Sequence, residues 1–123
     1  MFMDDRSENN LAGVDPRLVA VVRKAAELSR YPFVVTDGLR SLSQQKMLVA
    51  RGVSKTLKSL HLTGQAVDIA VIIDGKARWE WHLYEAVNAA FELASEILDT
   101  PIVWGGSWRS FKDGCHFELS RNP

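Results

Sequence analysis

Several things are scarce in this sequence, and each scarcity removes a class of protein. A single cysteine, Cys115, cannot form an intramolecular disulfide, so the fold rests on its core and suits a reducing compartment. The most hydrophobic run, Ala66 to Ile73, is strand-length and broken by Asp68, well short of the about 18 apolar residues of a membrane span. Membrane insertion is therefore not expected. The first residues, Met-Phe-Met-Asp-Asp-Arg-Ser-Glu, are acidic and have no apolar core, so they do not make a signal peptide. Neither sign of charge is in excess: fifteen Lys and Arg meet fifteen Asp and Glu, for a net charge of zero. The long-range field that gathers polyanions is missing, and no nucleic-acid partner is expected. Repeats, low-complexity tracts and linkers are absent as well.

What remains is a chain of 123 residues, 46% hydrophobic and 24% charged, the proportions of one soluble globular domain over residues 1–123. At this length folding removes roughly two thirds of the surface of the extended chain, enough for a core without staples. A monomer is expected.

Residues 1–14 form a mostly polar N-terminal segment without periodicity. Asp15-Pro16 then supplies an N-cap and a first-turn proline, and Leu18, Val21, Val22, Ala25 and Leu28 follow at helical spacing to about Arg30, where Tyr31-Pro32 stops the helix. Phe33–Thr36 reads as a strand closed by Asp37-Gly38. Ser41 to Gln44 resembles a capping box opening a short helix that ends at Arg51-Gly52, and a polar loop runs from Val53 to Ser59. From Val67 the pattern alternates, with Val67, Ile69, Val71 and Ile73 on one face and Asp68 aimed away from it. Asp74-Gly75 predicts a hairpin turn, His82–Leu98 a long helix, Ile102–Trp104 a strand, Gly105-Gly106 a turn, and Gly114–Leu119 a last strand. In that last strand, alternation sets Cys115, Phe117 and Leu119 opposite His116 and Glu118. Helices mixed with short hairpin-like strands predict an α+β fold, a small antiparallel sheet with flanking helices.

His61, Asp68 and His116 stand out as a set that can hold zinc, which in catalytic sites takes about three His or carboxylate ligands and leaves a fourth position for water. Such a donor set also accepts manganese or cobalt. His82, at the start of an amphipathic helix, reads as a surface residue. Of the four tryptophans, Trp79, Trp81 and Trp104 read as core and Trp108, in a polar loop, as exposed.

Ser59 to Asp68 fits SxHxxGxAxD, and this resembles the signature of the zinc peptidases of bacterial cell-wall stem peptides, the D-alanyl-D-alanine carboxypeptidases and L-alanyl-D-glutamate endopeptidases. The likeness extends through Gly38-Leu39-Arg40-Ser41 with Gln44-Gln45, through Trp79-Glu80-Trp81, and through Trp104 to Phe117. It spans about Asn10 to Leu119 and is nearest to compact single-domain endolysins of phages and prophages. The resemblance implies a Hedgehog/DD-peptidase-like domain with one zinc ion on His61, Asp68 and His116, and with Asp113 as the catalytic carboxylate. Arg40 matches the family's arginine, placed to bind a substrate carboxylate or a developing oxyanion. Ser59 and Gln45 match positions that support the site, Gly64 and Ala66 keep the backbone small near the metal, and Trp104 and Trp108 form a groove wall. Ser59, Gln45, Trp108 and Arg40 are the substrate-binding candidates. Two positions depart from the pattern: Leu60 stands where an arginine is frequent, and Cys115 where a proline is frequent.

The implied activity is a zinc-dependent endopeptidase acting on the peptidoglycan stem peptide between L-Ala and D-Glu, for host lysis. Such an enzyme accumulates in the host bacterial cytoplasm and reaches the wall through a pore made by a separate membrane protein. Three other readings stand beside it: a D-Ala-D-Ala carboxypeptidase, a thiol peptidase using Cys115, and a non-catalytic zinc-containing wall-binding module. Asp113 argues against the last, since a binding module has no need of a base beside the metal. Glu118, two beyond His116 on the same strand face, rivals Asp113 as general base.

Overall fold

The structure is a computed structural model that describes residues 3–53 and 59–121; most of the loop expected between Val53 and Ser59 lies outside the described residues. Its organising element is β2, Ala66–Ile73. Val67, Ile69 and Val71 are fully buried on one face, as the alternation predicts, while Asp68 is turned to the other. β1 (Phe33–Asp37) pairs with β2 antiparallel on one side, and β5 (His116–Leu119) pairs antiparallel on the other. β4 (Ile102–Trp104) adds to β5, so the order is β1-β2-β5-β4, with β3 (Lys76–Arg78) pairing the far end of β2 through the Asp74-Gly75 hairpin. Both turn residues have positive φ, 54° and 76°, the conformation of a tight two-residue hairpin.

The register carries the functional consequence. Asp68 stands directly across from His116 on β5 and, at a bulge in β1, across from Asp37. The 48-residue gap in sequence between Asp68 and His116 thus collapses into one cross-strand pair.

The opposite face of the sheet holds the core. α2 (Pro16–Leu28), capped by Asp15, brings Leu18, Val21, Val22 and Ala25; α4 (Trp81–Leu98) brings Leu83, Val87, Phe91 and Ala94. Phe91 stacks on Phe117 of β5 with centroids 3.8 Å apart, and tilts against Phe33 of β1 at 5.7 Å. Burial of that apolar face ties the strand bearing His116 to the helix layer. The Tyr84 hydroxyl accepts from the Val71 amide at 3.0 Å and donates to the Arg78 carbonyl at 2.7 Å, satisfying backbone groups at the β2–β3 junction.

Boundaries differ from the sequence expectations at a few places. Residues 1–14 are not uniformly irregular: Asp5–Leu11 form α1, with Asp4 accepting from the Ser7 amide as N-cap. Its polar sequence hides its docking, because the buried group is a serine: the Ser7 hydroxyl accepts from the Val35 amide at 2.9 Å, and Leu11 and Val14 close the contact. The last strand starts at His116 rather than Gly114, since the His116 amide returns to the Asp113 carbonyl in a turn. Trp79 and Trp81 are exposed at 63% and 44%, not core, because they precede the packed face of α4 rather than lying on it.

Candidate metal centre

Where β2 and β5 meet, the polar face opens into a cleft of about 580 Å³. His61, Asp68 and His116 each present a ligand atom there, all within 4.8 Å of one another. His61 enters from a 3-10 turn, Leu60–Thr63, whose N-cap Ser59 accepts from the His61 amide at 3.2 Å. That turn is closed by Gly64 at φ 71°, where a side chain would press within 2.5 Å of the Gly13 carbonyl. The glycine is thus explained by docking against the α1–α2 connection rather than by room for a metal.

The histidine orientations show which ring atoms are free to bind. His61 Nδ1 lies 2.8 Å from the Gly38 carbonyl, so Nδ1 carries the proton and Nε2 keeps its lone pair. Nε2 is buried and has no hydrogen-bond partner; Asp68 Oδ1, 3.4 Å away, does not meet it in a hydrogen bond. A buried ring nitrogen with nothing to accept from is costly, and a cation is the partner its lone pair fits. His116 Nδ1 lies 3.1 Å from the same Asp68 Oδ1, while its Nε2 is held by Glu118 Oε1 at 2.7 Å. His61 Nε2, Asp68 Oδ1 and His116 Nδ1 therefore converge, with two nitrogens and a carboxylate oxygen as the donor set.

The electrostatics follow the same geometry. Burial alone raises the Asp68 carboxyl, but the hydrogen bond from His116 and the nearness of both imidazoles outweigh it and hold Asp68 well below the ordinary carboxylate range. For His116, burial lowers the imidazole, yet Asp68 and Glu118 on its two nitrogens push it up to about 9. Asp68 and Asp37 face each other as like charges, and Arg40 resolves the pair: its guanidinium donates to Asp37 Oδ2 at 2.5 Å, Gln45 Oε1 at 2.9 Å and Asp68 Oδ2 at 3.2 Å. Arg40 lines the cleft with a side chain only 13% exposed. Gln45 has no exposed surface, so the expected substrate contact is corrected to support for Arg40; as the buried residue of α3 (Leu42–Ala50), it sits one turn behind the Ser41 capping box.

Asp113 lines the same cleft, its carboxylate within 4.8 Å of that of Asp68. Its placement depends on Gly105, whose carbonyl accepts from the Asp113 amide at 3.1 Å and whose missing side chain leaves room for the Asp113 carbonyl. Trp108 is half-buried, with its ring 5.1 Å from that of His116, and forms a cleft wall. Trp104 does not reach the cleft; its Nε1–H donates to the Gly114 carbonyl at 2.7 Å and holds the turn before His116 from behind.

Cys115 was expected on the face opposite His116. It lies instead in the turn before β5, where strand alternation does not apply, lines the cleft and donates its thiol to Asp113 Oδ1 at 3.0 Å. Burial pushes that thiol up first, and the Asp68 and Asp113 carboxylates push it further, away from the thiolate that a nucleophile needs. The thiol-peptidase reading loses its support. Sequence reasoning also missed Asp37, the Gly38 carbonyl, and Phe111 and Lys112 on the cleft rim; for the last two, adjacency to Asp113 was the one available signal.

Residues 1–120 match the family described as phage L-alanyl-D-glutamate peptidase. The chain is 39% identical over 119 residues to the L-alanyl-D-glutamate peptidase of Escherichia phage T5, spanning 94% of this chain and 86% of that protein. It is 30% identical over 114 residues to the peptidoglycan L-alanyl-D-glutamate endopeptidase CwlK of Bacillus subtilis strain 168, across 82% of this chain and 68% of that one. The crystal structure of the Serratia marcescens L-Ala D-Glu endopeptidase ChiX superposes with a TM-score of 0.89 at 45% identity, over 94% of this chain and 87% of that chain.

Proposed function

The chain belongs to the phage L-alanyl-D-glutamate peptidase family, and from that premise we propose that it is a zinc-dependent peptidoglycan endopeptidase that cuts the stem peptide between L-Ala and D-Glu. The observation that carries the zinc assignment is the buried, unpartnered His61 Nε2 aimed at Asp68 and His116 in an open cleft. A zinc ion held by these three residues supplies an acidified water nucleophile and a Lewis acid for the scissile carbonyl.

The remaining work belongs to the chain. The Gly38 carbonyl and Glu118 fix the far nitrogens of His61 and His116, so that each ring meets the site through one defined atom. Arg40 anchors Asp68 through Oδ2 and leaves Oδ1 to the metal; its guanidinium N–H groups beyond those three bonds can donate to the developing oxyanion. Asp113 takes a proton from the attacking water and passes it to the departing amine of D-Glu, so the amide nitrogen leaves neutral. Trp108 gives the substrate a flat wall beside His116.

Residues 1–123 work as one catalytic domain and as a monomer, without nucleic acid. Among the described residues no helix is long and apolar enough to cross a membrane. The enzyme acts on the cell wall during host lysis, and its passage from the host cytoplasm depends on a separate pore-forming protein.

A synthetic stem peptide ending in D-Ala-D-Ala tests the bond. New D-Glu amino termini with intact D-Ala-D-Ala are expected; release of free D-Ala with an uncut L-Ala–D-Glu bond would move the enzyme to the carboxypeptidases.

A further inference from the structure

Among the described residues, Arg40 and Lys112 are the arginine and lysine side chains on the cleft lining, and they are in different states. Arg40 is committed to Asp37, Gln45 and Asp68. Lys112 is exposed and, among the described residues, has no carboxylate partner. Its position is set by the backbone before it: Phe111 has φ 52°, a left-handed conformation that ordinary side chains rarely adopt. In an extended segment neighbouring side chains alternate, yet Phe111, Lys112 and Asp113 all line the same cleft. The lysine and the base therefore share one lining.

We propose that Lys112 is a specificity-determining residue that binds the free carboxylate of the glutamate on the leaving side of the scissile bond. The inference rests on the endopeptidase reading above. Glutamate built into a chain through its amine and one carboxyl keeps a second, charged carboxyl. In the stem peptide the chain runs on through the side-chain carboxyl, so the free group sits on Cα, one carbon from the nitrogen that leaves. Asp113 must lie beside that nitrogen to protonate it, and Lys112 is its neighbour in sequence and on the cleft rim. An ammonium there meets an anion that is present in this substrate and lost when the carboxyl is amidated. Asp113, the neighbour of Lys112 in sequence on that lining, is acidic, and an ammonium beside it offsets the repulsion between Asp113 and the substrate carboxylate.

The test compares kcat/KM on two stem peptides that differ only there, one with D-glutamate and one with D-isoglutamine. The wild type is expected to favour the free acid by about tenfold, the scale of a charge-assisted hydrogen bond partly open to solvent, and rising salt should narrow that ratio. In Lys112→Ala the ratio should fall toward one, and Lys112→Arg should restore most of it. An equal loss on both peptides in Lys112→Ala, or an unchanged ratio, overturns the inference while leaving the endopeptidase in place. A folded wild-type protein loaded with zinc that cuts neither peptide overturns both.

Discussion

Glu118 and Asp113 are both carboxylates beside the candidate centre, and what separates them is what each already holds. Glu118 is engaged with His116 Nε2 at 2.7 Å, the far side of that ring from Asp68. Asp113 Oδ1, among the described residues, accepts from the Cys115 thiol, a weak donor, and is not tied to a histidine. Glu118→Gln should therefore weaken zinc by about 10–100-fold while saturating zinc restores most turnover. Asp113→Asn should keep one zinc per chain and lose about 10²–10⁴ in kcat. Chelator competition and turnover at saturating metal distinguish them, and the reverse pattern would make Glu118 the base. Cys115→Ala should keep activity within a few-fold in the same assay; its abolition would revive the thiol.

At this scale the motif and the family resemblance pointed to His61, Asp68, His116 and Asp113, and the fold brings all four to one cleft. The direction of Cys115 was not legible. It depended on whether β5 starts at residue 114 or 116, and a turn hydrogen bond to the Asp113 carbonyl settles that.

Among the elements, β2 was readable from its alternation and α2 from its Asp15-Pro16 start, since both patterns report burial directly. α1 was not, because its docking is polar. That gives it a sharp test: Ser7→Ala leaves the buried Val35 amide without an acceptor and should cost about 1–3 kcal/mol, read as a fall in Tm. A neutral substitution would mean that α1 does not hold β1. The exposed tryptophans at the start of α4 were misplaced for a related reason: Trp79 stacks on Tyr84, 6.0 Å between centroids, and Trp81 tilts against Trp104 at 5.4 Å, contacts that periodicity does not report.

For the molecule as a whole, the buried charges make stability and metal binding depend on pH in opposite directions. Without metal, His116 is pushed up to about 9 from an unfolded value near 6.5, so its stabilisation is complete below about 6.5 and is lost as pH rises through 9. Asp68 is depressed, so its contribution is present above about 4 and is lost in acid. The metal-free protein should be most stable between about pH 4 and 6.5. A zinc ion held by His116 would compete with this proton, so the rise in Tm on adding zinc should grow from pH 6.5 to 9. Thermal unfolding with and without zinc across that range checks it; a zinc shift that shrinks with pH would contradict the ligand role of His116.

The central claim is that a metal held by His61, Asp68 and His116 cuts the L-Ala–D-Glu bond. Mass spectrometry of purified peptidoglycan digested by the protein tests it most directly, run with chelator, and again with zinc returned. New L-Ala carboxyl and D-Glu amino termini that vanish with chelator and return with zinc are the predicted result. Cleavage indifferent to chelator, or none by a protein carrying one zinc per chain, would contradict it.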